Sequence, residues 1–165
     1  MEARNANVEG CRPISIRELI KASLRMRPDR IVVGEVRGPE AIDMIQAMNT
    51  GHDGSMSTGH ANSARDMLAR LETMILMGME LPVPAIRGQL AAGIDIIIHL
   101  GRLRDRSRKL LEVAEVMGID NGQIKLSTLY RFTETGEENG KIIGVWRKEN
   151  EIAHRFKFEM AGIDI

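Results

Sequence analysis

The chain has 165 residues, of which 43% are hydrophobic, and its 23 basic and 23 acidic residues give no net charge. This composition describes an ordinary globular domain with one substantial core, and it excludes a global electrostatic attraction to nucleic acid or anionic lipid. One cysteine, no apolar run of roughly 20 residues and no signal-peptide pattern together exclude an internal disulfide and a membrane span and favour a cytoplasmic setting.

Helix and strand signals alternate from residue 15 onward. Ser15 and Glu18 form a capping box, and apolar residues at helical spacing then predict a helix to about Met26, which Pro28 ends. Residues 30–35 form a short apolar run, which predicts a strand buried on both faces. The first part of the chain therefore begins as a helix followed by a buried strand.

A second helix is predicted between residues 39 and 50, because Pro39 suits a first-turn position and Gly51 follows the last turn. A short strand is expected at residues 55–58. Ser63 can cap a third helix whose inner face is made of Leu68, Leu71 and Ile75. This order predicts an α/β fold with parallel strands.

Residues after Pro84 predict a different architecture. Residues 85–92 suit a short helix, and residues 94–103 are a strongly β-branched run. Asp120-Asn121-Gly122 lies between two alternating segments, which indicates a hairpin. Residues 133–140 read as a polar loop and residues 141–147 as an edge strand. The sequence thus predicts an antiparallel meander and a small helical extension after the α/β part.

Glu35 ends the apolar run of the first predicted strand. Ligands bind at the carboxyl edge of parallel strands, so a carboxylate there can hold Mg²⁺ through water or orient an attacking water. The structural alternative is an ion pair with Arg37 or Arg30. The residues alone leave both interpretations open.

A Gly-rich segment with hydroxyl and imidazole groups follows. Ser57, Thr58 and His60 offer donors that can contact a γ-phosphate and report its loss. A metal site at His52, Asp53 and His60 is a weaker alternative, because dedicated sites use three or four ligands of defined geometry. A turn with a hydrogen-bonded histidine is the structural alternative, and it stays open.

Two groups of basic residues are candidates for anion binding. Arg25 and Arg27 can reach phosphates from the end of the first helix, although a solvated helix face is the more common explanation for such residues. Residues 102–109 hold four arginines and a lysine, but no aromatic residue is interleaved to stack bases. An exposed hairpin tip or a subunit contact is therefore favoured there over a nucleic-acid site.

The phosphate-binding pattern G-x-x-x-x-G-K-[ST] is absent from the sequence. The one Gly-Lys pair, Gly140-Lys141, follows two glutamates and precedes Ile142 instead of a hydroxyl residue. The sequence therefore predicts part of a nucleotide-hydrolysis site without the loop that grips the phosphates.

Two segments resemble signature regions of the type II/type IV secretion ATPases. The first signature, residues 24–38 (LRMRPDRIVVGEVRG), resembles the Walker B region of that family. The second signature, residues 51–65 (GHDGSMSTGHANSAR), resembles its His box. Residues 49–50 and 70–74 look most like the pilus-assembly ATPases of tight-adherence (Flp-type) systems. The resemblance runs from about residue 2 to about residue 132.

The resemblance implies the later half of a RecA-like P-loop NTPase sheet. It also implies a hexamer at the cytoplasmic face of the inner membrane, which uses ATP and Mg²⁺ to drive pilus assembly or protein export with membrane platform proteins as partners. By position, Glu35 is the Walker B glutamate and His60 the histidine that contacts the γ-phosphate. The candidate nucleotide-binding residues are Arg25, Arg27, Arg37, Ser57 and Thr58. Gly59 departs from the family pattern, in which an apolar residue is usual.

The resemblance further implies that residues 1–132 are the C-terminal portion of the ATPase domain and that residues 133–165 are an extension. The chain would then correspond to the C-terminal part of a longer enzyme and be inactive alone. Two alternative functions stay open, a non-catalytic assembly module and a His/Asp metal-dependent hydrolase.

Overall fold

A computed structural model describes residues 1–4 and 12–164; Cys11 and the rest of residues 5–11 lie outside the described part. The described chain forms two compact units. Unit 1 comprises Met1–Ala61 and Asp66–Ile94, and unit 2 comprises Asn62–Arg65 and Asp95–Ile165. The elements are α1 (Ile16–Arg25), β1 (Val32–Val33), α2 (Ala41–Met48), β2 (Met56–Ser57), α3 (Ala64–Leu76), α4 (Val83–Gly93), β3 (Ile96–Arg102), β4 (Arg108–Asp120), β5 (Gln123–Glu138), β6 (Lys141–Lys148) and α5 (Phe156–Met160).

Helix α1 begins at the predicted capping box. The Glu18 N–H donates to Ser15 Oγ at 3.2 Å, and the Glu18 carboxylate accepts from the Ser15 N–H at 2.9 Å. Two backbone donors at the helix start are thereby satisfied by side chains. Arg27 adopts a left-handed conformation with φ of 51° directly after the helix, and Pro28 follows.

Strands β1 and β2 pair in parallel, with Val32 opposite Met56 and Val33 opposite Ser57. This confirms the predicted parallel arrangement. The prediction that the first strand is buried on both faces is wrong: Val33 is 7% exposed, but Val32 is 67% exposed. Side chains alternate between the faces of a strand, and nothing in the described part of unit 1 covers the face that carries Val32.

The core of unit 1 lies among its helices. Its largest side chains that are at most 1% exposed are Ile42, Ile45, Ile75, Ile86 and Leu90. Helix α3 buries the inner face that the sequence predicted, and α4 begins two residues before the predicted helix. Arg17 on α1 donates to the buried Asp43 on α2 at 2.6 Å, which ties these two helices together.

Unit 2 is an antiparallel sheet in the order β3-β4-β5-β6. Asn121 and Gly122 have φ values of 48° and 74°, as a two-residue type I′ turn requires, so the hairpin prediction is confirmed. The prediction of a polar loop at residues 133–140 is wrong. Strand β5 continues to Glu138, and Asn139 and Gly140 form a second such turn. The residues are polar because they lie on an exposed part of the strand.

The C-terminal segment is fixed to this sheet by a buried acid. Glu115 on β4 is 1% exposed and accepts the N–H groups of Ala153 and His154 at 2.9 and 2.8 Å. Helix α5 follows, as the predicted helical extension. The expected domain boundary after residue 132 falls within β5 and stays a prediction. Among the described helices, none has the length and hydrophobicity that crossing a bilayer needs.

Candidate functional site

The two signatures meet beyond the short β1–β2 ladder. The Val36 N–H donates to the Thr58 carbonyl at 3.0 Å, and Thr58 Oγ1 donates to the Gly34 carbonyl at 2.6 Å. These bonds hold the residues on either side of Glu35 against the second signature. The acid is thus presented at the carboxyl edge of two parallel strands, where the sequence predicted it.

Glu35, Arg37 and His60 come together at this edge. Glu35 Oε2 lies 2.5 Å from an Arg37 guanidinium nitrogen, and Glu35 Oε1 lies 3.1 Å from His60 Nε2. The Glu35 side chain is 24% exposed, whereas those of Arg37 and His60 are 76% and 83% exposed. A half-buried acid is therefore flanked by a cation and an imidazole that both face solvent.

The two oxygens of Glu35 differ in their surroundings. Oε2 is paired with Arg37, but Oε1 is buried and has no hydrogen-bond partner in the described part of the chain. Its contact with His60 meets the distance of a hydrogen bond but not the angle. A buried carboxylate oxygen without a partner is unusual in a folded protein, because each such atom loses the hydrogen bonds it made to water.

Arg37 controls the charge of this acid. Its hydrogen bond lowers the pKa of Glu35, with partial burial opposing the shift and the charges of Arg37 and His60 adding to it. In return the Glu35 carboxylate raises the pKa of Arg37. Glu35 is therefore ionised at neutral pH and can accept a proton or face a cation. Both the catalytic and the ion-pair interpretation of Glu35 are compatible with this geometry.

The remaining candidates for nucleotide binding lie around this group in different ways. Thr58 lies close to Glu35, because its hydroxyl donates to the carbonyl of Gly34, the residue before the acid. Ser57 Oγ makes a long contact of 3.4 Å with the Thr58 carbonyl. Arg25 and Arg27 are exposed and take no part in the ion pairs of Glu35. Their role at the nucleotide stays a prediction.

A His/Asp metal centre finds no support in the geometry. His52 Nδ1 lies 3.2 Å from Thr50 Oγ1, a neighbour within its own turn. Across residues 1–4 and 12–164, no three His, Cys, Asp or Glu side chains converge as a metal site would require.

The basic cluster at residues 102–109 occupies the β3–β4 hairpin, where Arg102 pairs with Arg108 in the ladder. Arg104 is ion-paired with Glu134 and Glu137 on β5, at 2.5 and 3.3 Å. The predicted hairpin tip is confirmed, and one of its cations is already matched by acids of the same sheet.

Sequence reasoning missed Glu40. This residue precedes α2, and its Oε1 accepts the N–H groups of Arg37 and Gly38 at 2.8 and 3.1 Å. The signal was an acid at a helix start next to Pro39, a place where carboxylates satisfy free N–H groups. Glu40 thus fixes the backbone of Arg37, a residue of the candidate site, and of the neighbouring Gly38.

Comparison with known proteins identifies the family. The family model described as "Type II/IV secretion system protein" matches residues 2–143, so the chain belongs to that family. It is 44% identical over 128 residues to a putative conjugal transfer protein of Mycobacterium tuberculosis, which covers 78% of this chain and 36% of the relative. It is 37% identical over 91 residues to the type IV secretion system protein VirB11 of Brucella suis, covering 53% of this chain and 25% of VirB11.

The fold agrees with this assignment. The chain superposes on the crystal structure of the VirB11 ATPase of the Brucella suis type IV secretion system, determined with sulphate, with a TM-score of 0.59 and 34% identity. The match covers 62% of this chain and 32% of VirB11. It confirms the predicted later half of an ATPase domain. The chain spans only about a third of the length of the curated relatives it matches.

Proposed function

We propose that this chain supplies the acid-and-sensor half of the ATP-hydrolysis site of a type IV secretion ATPase. The observation that carries the proposal is the contact of 3.1 Å between Glu35 and His60, which lie 25 residues apart in the sequence. Two separate signatures converge there on one buried carboxylate oxygen with no hydrogen-bond partner among the described residues. A structural ion pair alone needs Arg37 but gives no reason for the exposed imidazole.

Glu35 is the proton acceptor in this proposal. Its lowered pKa favours the ionised form, and no hydrogen bond from the described residues to Oε1 has to be broken for that oxygen to orient a water molecule and take its proton. Arg37 stabilises the negative charge at Oε2. The same ionised carboxylate suits Mg²⁺ held through water, and Mg²⁺, when bound, neutralises charge on the phosphates.

His60 is the γ-phosphate contact. Its ring is exposed beside Glu35, so it can reach a phosphate while it stays in contact with the Glu35 carboxylate. Ser57 and Thr58 on the same segment, with Arg25, Arg27 and Arg37, are proposed to contact the nucleotide. The hydroxyl proton of Thr58 is given to Gly34, so a nucleotide would meet the lone pairs of Thr58 or displace that bond.

The activity of the whole machine is a further part of the proposal. Membership of the secretion family supports ATP hydrolysis by a hexamer at the cytoplasmic face of the inner membrane, coupled to protein export or pilus assembly with membrane platform proteins. Within this picture, the similarity of residues 49–50 and 70–74 favours a tight-adherence pilus system.

Glu35→Gln tests the proposal in a chain extended so that a phosphate loop precedes residue 1. Gln keeps the shape of the side chain but cannot take a proton, so we expect kcat to fall at least ~10²-fold with nucleotide affinity nearly unchanged. Glu134→Gln is the matched control. Glu134 is also an acid whose pKa is lowered by a hydrogen-bonded arginine, but it lies in unit 2. Normal kcat in Glu35→Gln would reassign Glu35 to a structural ion pair.

A further inference from the structure

Glu40 fills a nest of two backbone N–H groups immediately after the acid of the candidate site. One oxygen of its carboxylate accepts the N–H groups of Arg37 and Gly38, at 2.8 and 3.1 Å. No side-chain cap of α2 is made by Glu40, because its side chain turns back toward the preceding loop. The two donors would otherwise be unpaired where the chain enters α2.

The fit between Glu40 and the loop is close. A Cβ atom added to Gly38 would lie 3.2 Å from Glu40 Oε2, which is tighter than most such contacts. A larger residue at position 38 would therefore press on the carboxylate that binds its own N–H. Gly38, the last residue of the first signature, and Glu40 therefore form a matched pair.

The loop that carries Glu35 is consequently held by two side-chain partners. Thr58 accepts the Val36 N–H and donates to the Gly34 carbonyl, so it holds the residues on either side of the acid. Glu40 binds the backbone of Arg37, the next residue along the chain after Val36. Arg37 reaches back to Glu35 from this fixed position.

We infer that Glu40 is a positioning residue for the Glu35–Arg37 pair: by fixing the backbone of Arg37 and Gly38, it places the Arg37 guanidinium on Glu35. Glu40 acts through Arg37 and does not need to touch the nucleotide. The kinetic part of this inference rests on the proposed function, but the placement of Arg37 can be measured without turnover.

The direct test is an NMR titration of the Glu35 carboxyl in the 165-residue chain, assigned by the signal that disappears in Glu35→Gln. In the wild type the titration midpoint should lie below the ordinary glutamate value, because Arg37 is hydrogen-bonded to Glu35. Glu40→Ala should move the midpoint up toward the ordinary value. Glu40→Gln keeps an oxygen that accepts both N–H groups, so the wild-type midpoint should be restored.

Glu18→Ala is the matched control. Glu18 is also a glutamate near a helix start that accepts a backbone N–H, from Ser15, and its pKa is also lowered by that bond. Its loss weakens the start of α1 but should leave the Glu35 midpoint unchanged. Circular dichroism at 222 nm shows whether each variant keeps its helices. If Glu40→Ala destabilises the chain, the Glu35 titration is repeated on Glu40→Gln and on Gly38→Ala. The methyl group added in Gly38→Ala crowds the Glu40 carboxylate.

An unchanged Glu35 midpoint in folded Glu40→Ala would overturn the inference, and so would a Glu40→Gln midpoint raised as in Glu40→Ala. In the extended chain, Glu40→Ala should lower kcat by up to about 10²-fold with little change in KM, the loss expected when a reacting group is misplaced by about 1 Å. If Glu35→Gln has normal kcat while Glu40→Ala still shifts the midpoint, the proposed function fails and the positioning role stands.

Discussion

Met67 on α3 occupies the space that a side chain at position 59 would need. A Cβ atom added to Gly59 would lie 2.6 Å from Met67 Cε and 3.0 Å from Met67 Sδ. Gly59 thus leaves room for this methionine next to the proposed γ-phosphate contact.

The pair predicts a compensating substitution. Gly59→Leu alone should lower the free energy of unfolding by about 1 kcal/mol, because the added side chain must displace the flexible end of the half-buried Met67. Gly59→Leu with Met67→Ala should recover most of that loss. The coupling energy is measured by urea unfolding, followed by circular dichroism at 222 nm, of the wild type, Gly59→Leu, Met67→Ala and the double variant. It should exceed about 0.5 kcal/mol in favour of the double variant. Strictly additive effects would show that Met67 does not fill the site.

Local sequence signals predicted the parts of this fold that neighbouring residues determine. The Ser15–Glu18 capping box and the Asn121-Gly122 turn each need only adjacent residues, and the structure contains both. The same reasoning missed the Asn139-Gly140 turn, because the polar residues before it suggested a loop. An exposed strand and a loop share that composition, so only the pairing of β5 with β6 distinguishes them.

Contacts between distant residues were not predictable in this way. As an acid in a strand, Glu115 would be expected to face solvent. Its carboxylate instead accepts hydrogen bonds from the N–H groups of residues 153 and 154, which are distant in the sequence. The convergence of Glu35 and His60 was predicted through family resemblance, since spacing alone left both with structural alternatives. Glu40 was missed because its partners are backbone atoms, which leave no pattern of side chains in the sequence.

The isolated 165-residue chain should hydrolyse ATP little or not at all. It has no phosphate loop, and that loop supplies most of the grip on the phosphates and the hydroxyl that binds Mg²⁺. Phosphate release and nucleotide binding should be measured on this chain beside an extended chain that contains a phosphate loop. Turnover at the rate of the extended chain, or tight saturable ATP binding by the 165 residues alone, would contradict this.

Unit 2 should lose stability in acid through Asp105. This carboxylate accepts from Ser107 Oγ, the Ile142 N–H and the Ser107 N–H at 2.6, 2.9 and 2.9 Å, and these bonds lower its pKa to about 2. Because the folded pKa lies below the unfolded value of about 3.9, the stabilisation is complete above that value and is lost as the pH falls toward 2.

Asp105→Asn isolates this contribution. The variant should be less stable than the wild type at pH 7, and the difference should shrink as the pH is lowered from 5 toward 3. The fluorescence of the single tryptophan, Trp146 on β6, reports the unfolding of this sheet in urea. Equal pH dependence in the two proteins would show that Asp105 does not carry the effect.

His60→Ala in the extended chain should lower kcat more than it lowers nucleotide affinity. A single donor to the γ-phosphate adds little to binding in the ground state, and its contribution grows as charge shifts during phosphoryl transfer. Because the His60 side chain is 83% exposed, its removal should change the free energy of unfolding by no more than about 0.5 kcal/mol. His52→Ala is the control, since His52 lies in the same Gly-rich segment but contacts Thr50 instead of Glu35. Melting curves and kinetics on the same preparations separate the two possible roles: a destabilised His60→Ala protein with normal kcat would make His60 a structural residue and leave Glu35 without a sensor.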